Sequence, residues 1–404
     1  MKLPVISYKK DEKYIIVVPK IATAFINDNP LLEIEIDDTE YKEIENRIRE
    51  FNEKTLENPV NKLFIINTLQ CDGRCLYCYD KNFRNENVYL SVEQLDKAIK
   101  KNNIEKIDNV IFYGGEPVKD FDNLSELIFY LKEIHKTKNI HIVTSLFYDD
   151  NTFLKLINLC ENENISLTIS IDPPSEKYPR IYKDFTYKDI LNRVSVLANS
   201  TSIIFGVRST ISNWAFDGVQ LFKDLNKISE NKPISVNFDL IKGYPIDYEI
   251  LNKFLKSWIG YGEKVIQRLL GKTYGTIFHP TFNKLLNGGL LLNILKNCDA
   301  GRGRIAITPT GETTLCNEDV IAKNFKGKTY DVIFPFDDEC KSCPFQYSCG
   351  YHCFTIDKRF RKNYCYFHTE LFKYSMKYFI NLMDWDFLKQ WIKNQYIQLK
   401  KIGG

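Results

Sequence analysis

A repeat constrains this chain more than any other feature. From Lys62 to Leu240, short apolar runs alternate with loops and helical stretches. The candidate strands are Lys62–Leu69, Val110–Tyr113, Ile140–Thr144, Ile165–Ile171, Ser202–Thr210 and Ile234–Leu240. They are rich in Ile, Val and Phe, as buried parallel strands tend to be. A helix begins at Ser91, with Gln94 three residues on to complete a capping box. Another carries Phe121, Leu124, Leu127, Ile128, Leu131 and Ile134 at helical spacing. Six such units predict an α/β chain folded as an open or partial (β/α)6 barrel. Barrels of this kind do their chemistry at the C-terminal ends of the strands.

The first strand ends where Cys71-Asp-Gly-Arg-Cys75-Leu-Tyr-Cys78 begins. Three thiolates this close can hold three corners of an iron–sulfur cube, because soft sulfur suits iron. The fourth iron is left open. Zinc knuckles instead favour CxxC pairs with four ligands in one local fold. Ten of the eleven cysteines lie in two groups, at 71–78 and 298–365, and such clustering favours metal over disulfides. With only five His and no HExxH-type pair, the metal ligands must be mainly sulfur.

No apolar run reaches the roughly 18 residues of a membrane span. The start, MKLPVISYKKDEKY, lacks the apolar core and cleavage site of a signal peptide. A cytoplasmic protein is expected, where disulfides are disfavoured. Net charge is +3, from 55 basic and 52 acidic residues, which argues against a nucleic-acid footprint.

Further along come Tyr113-Gly114-Gly115-Glu116-Pro117 at the second strand end, Thr144-Ser145-Leu146 at the third and Ser170-Ile171-Asp172 at the fourth. The two glycines let backbone approach a ligand. Glu116 offers an acceptor for an ammonium. Ser170 and Asp172 share a strand face. Toward the C-terminus, Cys298 is followed by Gly311-Glu-Thr-Thr-Leu-Cys316, then Cys340, Cys343, Cys349, Cys353 and Cys365. Arg304–Cys316 reads as a hairpin turning at Pro-Thr-Gly. Seven soft ligands are one short of two closed zinc sites.

CxxxCxxC followed one unit later by GGEP resembles the radical SAM family. The C-terminal cysteines resemble its SPASM extension. The resemblance implies three [4Fe–4S] clusters and S-adenosyl-L-methionine (SAM). Cys71, Cys75 and Cys78 would hold the cluster that cleaves SAM to a 5′-deoxyadenosyl radical. Tyr77, Gly114, Gly115, Glu116, Pro117, Ser170, Asp172, Arg193 and Leu240 are the implied SAM contacts, with Arg193 on the carboxylate and Arg208 a further candidate. Cys298, Cys316 and Cys353 would hold an inner auxiliary cluster. Cys340, Cys343, Cys349 and Cys365 would hold an outer one. Some members have an eighth cysteine about where Arg304 stands, so the inner cluster can keep an open iron. The family's Thr-Asn-Gly is replaced here by Thr144-Ser145-Leu146.

The expected organisation is a small module over 1–60, the barrel over 61–245, a helical connector over 246–297, the SPASM domain over 298–370 and a C-terminal helix over 371–404. The module shows strand runs Tyr14–Val18 and Ala22–Ile26 and a helix near Thr39–Phe51, too little core to stand alone. It should pack on the main body, as a cap or a shortened peptide-recognition element. Cys160 lies in an apolar helical stretch and reads as an inert buried thiol.

The resemblance implies a maturase that takes hydrogen from a ribosomally synthesised precursor peptide and installs a thioether or carbon cross-link. A flavodoxin- or ferredoxin-type protein would supply electrons. Neither nucleic acid nor membrane is an expected partner. Peptide epimerisation is the rival outcome. A sulfatase-maturing, formylglycine-forming enzyme is a second rival, but Asn317 stands where those enzymes place an Asp base, with Glu318 and Asp319 shifted from it. From another class, the chain would be a non-catalytic iron–sulfur binding or electron-transfer protein.

Overall fold

The computed structural model describes residues 1–56, 60–78, 81, 85–182, 185–229, 234–241, 244–257, 303–316, 338–345 and 358–401. Cys298, Cys349, Cys353, Asn317, Glu318, Asp319 and most of the expected 246–297 connector lie outside these residues.

Residues 1–56 form β1 (Lys2–Pro4), β2 (Ile6–Lys10), β3 (Lys13–Val18), β4 (Thr23–Asn27), β5 (Glu33–Glu35) and α1 (Asp38–Leu56). β2, β3 and β4 make an antiparallel meander, and β1 pairs with β5 as a separate ribbon. Then come β6 (Lys62–Ile66), α2 (Val92–Lys101), β7 (Asn109–Tyr113), α3 (Phe121–Glu133), β8 (Asn139–Thr144), α4 (Asp150–Glu163), β9 (Ser166–Ser170), α5 (Tyr187–Ser200), β10 (Phe205–Ile211), α6 (Gly218–Ile228) and β11 (Ser235–Leu240). β6 to β11 pair in parallel and in sequence order, as six consecutive βα units dictate.

β7 to β11 bury alternate residues under the helices, while β6 buries Leu63 to Ile66 without a break. Val110 and Phe112, Ile140 and Ile142, Leu167 and Ile169 sit in one core with Leu127, Leu131, Leu156, Val194 and Leu197. A fully buried side chain of this size contributes about 1.5–3 kcal/mol, so this layer holds the sheet together. The opposite strand face is more polar: His141, Thr168, Ser170, Arg208, Thr210 and Asp239 are only partly buried. Strand ends on that face carry the candidate site.

The expected hairpin forms from β12 (Arg304–Ile307) and β13 (Thr313–Thr314). It also does something the sequence did not signal. β12 adds in parallel to β6, extending the barrel sheet past its first strand. Residues 248–257 are helical. A short helix, Asp338–Ser342, carries Cys340. The long helix Arg361–Leu382 carries Cys365 and runs through the boundary expected at 370, because its apolar positions continue without a break. Trp385–Lys401 follows as a last helix.

Among the described residues, the N-terminal meander packs against the C-terminal part of the chain. Tyr8, Ile15, Val17, Ala22 and Ala24 share a core with Phe345, Phe372, Met376, Phe379, Leu388 and Trp391. The two ends of the chain thus complete each other's apolar faces, which neither has enough surface to do alone. The start of Arg361–Leu382 is tied to the barrel instead: Tyr364 Oη donates to the Leu240 and Ile241 carbonyls at 3.0 and 2.7 Å.

Candidate active site

The cysteine loop is held by backbone on both sides. Arg74 and Leu76 N–H groups donate to the Ile181 and Pro179 carbonyls at 2.6 and 2.9 Å. On the other side, Gly115 N–H donates to Thr68 O at 3.1 Å and Glu116 N–H to Gln70 O at 2.8 Å. The GGEP glycines allow this second approach. A Cβ on Gly115 would lie 2.3 Å from both the Leu69 and Gln70 carbonyl oxygens, and one on Gly114 would lie 2.4 Å from Thr68 O. Gly114 also sits at φ +140°, where side chains are strained. The backbone these glycines admit is therefore the chain's own lead-in to Cys71.

Cys71, Cys75 and Cys78 line one open cavity. Tyr77, Gly114, Gly115, Ser170 and Leu240 line it too, as do Arg208, Tyr113, Thr144, Ser145, Phe147, Arg180, Thr210 and Asp239. Cys71 and Cys75 sulfurs stand 3.1 and 3.9 Å from the point where a Gly73 Cβ would be. Among the described residues, no three His, Cys, Asp or Glu side chains converge on a single metal ion. Soft thiols spread around a shared cavity fit a cube with one open corner better than one ion. Burial, with the Glu116 charge next, pushes the Cys71 thiol up to about 12, while the Gly73 N–H pulls it down. Ligation there must therefore displace a proton.

Four expected contacts stand in the wall behind the cavity. Glu116 is 2% exposed, and its carboxylate is already engaged. It accepts from Thr144 Oγ1 at 2.7 Å, Ser145 N–H at 2.9 Å, Ser145 Oγ at 2.6 Å and Val118 N–H at 3.4 Å. Burial raises its pKa and these hydrogen bonds oppose the rise. Ser145, the departure from Thr-Asn-Gly, thus supplies two of the donors. Pro117 follows in a buried turn whose carbonyl accepts from Asn67 Nδ2 at 3.0 Å.

Asp172 is completely buried. It accepts from Tyr77 Oη and, at 2.9 Å, from Thr210 N–H. It also lies 3.1 Å from Arg180 Nε. Arg180 stacks over the Tyr77 ring, 5.5 Å from its centroid. This arginine was not anticipated. It lies in an irregular loop without motif, and its position comes from the backbone pairing of residues on either side of it.

Arg193 is buried beside the third strand end. Nη1 donates to Leu146 O at 2.6 Å and Nη2 to Asp150 Oδ1 at 2.7 Å. Its guanidinium lies over Phe185, 4.6 Å from the centroid, and near Phe153 and Tyr148. Leu146 has φ +61°, so the arginine braces a strained residue. Leu146 and Arg193 are both absent from the cavity lining.

The second cysteine group is partly within the described residues. Cys340, Cys343 and Cys365 gather, each within electrostatic reach of the others. Burial first, then the Cys365 sulfur, pushes the Cys340 thiol up to about 11. Cys316 is buried at the end of the hairpin. Cys160 is 1% exposed, its thiol pushed up to about 12 by burial. Among the described residues no helix is long and apolar enough to cross a membrane.

The Radical SAM superfamily model matches residues 65–208. No curated protein sequence matches the chain. Among solved structures, the fold is similar to native anSMEcpe with bound AdoMet and Cp18Cys peptide, at 18% identity and TM-score 0.60, covering 80% of this chain and 98% of that one. It is also similar to Streptococcus suis SuiB bound to S-adenosylmethionine, at 14% identity and TM-score 0.53, covering 86% of this chain and 95% of that one. SuiB bound to precursor peptide SuiA matches at 15% identity and TM-score 0.51, covering 81% of this chain and 80% of that one. At these identities the likeness is one of fold.

Proposed function

We propose that this chain, which belongs to the radical SAM superfamily through residues 65–208 and is an enzyme, matures a ribosomally made peptide by taking hydrogen from one of its carbons. The observation that carries the reading is the cysteine loop. Cys71, Cys75 and Cys78 open into one cavity at the strand ends, with Ser170, Arg180, Arg208 and Asp239 beside them.

In this reading Cys71, Cys75 and Cys78 would hold a [4Fe–4S] cluster and SAM would bind in the cavity they line. When bound, the pair supplies a 5′-deoxyadenosyl radical on one-electron reduction. The chain's own part is positional. Ser170 and the Gly114–Gly115 backbone border the SAM site. Arg180 places a cation at its edge, fixed by Asp172 and Tyr77. Phe147 and Leu240 give part of the wall an apolar lining. A peptide segment would enter from the polar strand face, where Arg208 and Asp239 line the cavity.

Cys340, Cys343 and Cys365, joined by Cys349, would hold an outer auxiliary cluster. Cys316, with Cys298 and Cys353, would hold an inner one. Their work would be to accept the electron left when a carbon radical couples to a thiol or another side chain. A peptide substrate agrees with the peptides bound to the two similar proteins, Cp18Cys peptide and precursor peptide SuiA. The reductant would be a flavodoxin- or ferredoxin-type protein in the cytoplasm.

The test is anaerobic reconstitution of wild type and a Cys71→Ala, Cys75→Ala, Cys78→Ala triple variant. The wild type should bind about twelve irons and the variant about eight. With SAM and reductant, only the wild type should release 5′-deoxyadenosine. Persistent release from the triple variant would reject the assignment. A candidate peptide losing the mass of two hydrogens marks a cross-link, an unchanged mass with altered stereochemistry marks epimerisation, and a formylglycine product marks the sulfatase-maturing activity.

A further inference from the structure

The turn Pro19–Ile21 joins β3 to β4 and carries Lys20, only 4% exposed. A lysine this buried calls for anionic company. Burial lowers its pKa, and the charges that oppose this are Glu45 of α1 and the Cys343 and Cys340 sulfurs. A second cation reaches the same thiols from the C-terminal helix. Arg361 Nη2 donates to Cys340 Sγ at 2.8 Å, and, after burial, Arg361 has the largest charge effect on Cys365. Glu339 is the carboxylate that opposes them.

The placement of Lys20 is built into the fold. Val17 and Ala22 flank its turn, and both pack into the core that contains Phe345, two residues beyond Cys343. Cys343 itself packs against that core. The core that joins the meander to the C-terminal helices thus includes Ala22, two residues from Lys20, and Phe345, two residues from Cys343.

We infer that Lys20 and Arg361 are the electrostatic partners of the outer cysteine set, and that the N-terminal module seats a buried cation against an iron–sulfur cluster held there, raising its reduction potential. The inference rests on the reading of Cys340, Cys343 and Cys365 as cluster ligands. Reduction adds one negative charge to a thiolate-held cube. A fixed cation in a poorly solvated site favours the more negative state, and a donor to a ligating sulfur acts in the same sense. An outer cluster tuned upward would be the better sink for an electron leaving the active site.

The experiment uses the full chain in the Cys71→Ala, Cys75→Ala, Cys78→Ala background, which leaves only the two auxiliary sites. Midpoint potentials are followed by EPR-monitored redox titration, with iron content measured on the same samples. Lys20→Met and Arg361→Gln should each shift one midpoint downward and leave the other in place, at unchanged iron. Lys20→Arg should keep the wild-type value. Unmoved midpoints at unchanged iron would overturn the inference alone, as would an equal shift in Lys20→Arg and Lys20→Met, which would mark a packing effect. A background protein with no C-terminal iron would overturn the cluster reading and the inference with it. Should Lys20→Met fail to load iron, Arg361→Gln decides the matter.

Discussion

Arg180 Nε lies 3.1 Å from Oδ1 of Asp172, and Asp172 has no exposed surface. The same carboxylate holds Tyr77, next to Cys78, and the Thr210 N–H of β10. One buried anion therefore ties the cysteine loop, the loop after β9 and the neighbouring strand. The neighbouring Asp172 charge raises the Arg180 pKa well above its ordinary value against the effect of burial. Asp172→Asn removes the anion and leaves the arginine in place. Breaking a buried pair costs about 3–5 kcal/mol, and this loss should fall at the lower end because Arg180 borders the cavity. Urea unfolding of the apo protein measures it. The double variant Asp172→Asn, Arg180→Met should recover part of the loss, because no unpaired cation remains. A double variant weaker by the full sum would show that the two residues act independently.

Gly115→Ala tests the contact between GGEP and the cysteine lead-in. The added Cβ would meet two backbone oxygens at 2.3 Å, and backbone cannot swing aside as a side chain can. A loss of about 1–3 kcal/mol is expected from such overpacking. Since the displaced segment leads directly into Cys71, iron bound at the first site should fall more steeply than global stability. Iron and sulfide analysis beside a thermal melt separates the two. An alanine variant with full iron and SAM affinity would show that residues 69–70 are not held where the structure has them.

Arg193→Met separates two roles for one residue. In the structure Arg193 braces Leu146 and stacks on Phe185, away from the cavity. Losing a charged donor to a buried carbonyl costs about 1.5–3 kcal/mol. The melting temperature should fall, while SAM affinity of the surviving folded protein stays within a few-fold of wild type. Arg180→Met should behave oppositely in binding, since Arg180 reaches the cavity. Equilibrium binding of SAM to reconstituted protein reads this directly. A selective collapse of SAM affinity in Arg193→Met would return Arg193 to the SAM carboxylate.

The barrel strands were legible because each is an apolar run bounded by polar loops, and their ends fall within a few residues of expectation. β1 and β5 were not. Each has three residues, and they pair only with each other, so neither leaves an apolar run to read. β2 is Ile-Ser-Tyr-Lys-Lys, whose alternation fades into charge. The cysteines announced the site, but its second rank was hidden. Arg180 is placed by backbone pairing across a loop, which no spacing rule encodes. Glu116 and Arg193 read from sequence as ligand contacts, and nothing in a motif signals the hydrogen bonds that the structure gives them to Ser145 and Leu146. The joining of the chain's two ends into one core was also invisible, since contacts so distant in sequence leave no local pattern.

His141 gives the apo protein a pH dependence with a definite sign. It sits on the polar face of β8, with Nδ1 2.7 Å from Ser166 Oγ and Nε2 2.7 Å from Thr168 Oγ1. Burial lowers its pKa. In the unfolded chain the ring takes a proton near pH ~6.5. The folded chain resists protonation until lower pH. Its contribution is therefore fully present above about pH 6.5 and is lost as pH falls through that value toward the folded-state pKa. His135 is shifted in the same direction by burial, so the wild-type curve contains both histidines. His141→Gln keeps a polar side chain but cannot titrate. Urea midpoints of the apo wild type and His141→Gln, measured from pH 8 down to 5.5, should converge on acidification, with the wild type falling faster. Parallel curves would mean that the His141 ring is protonated as easily in the folded sheet as in the unfolded chain.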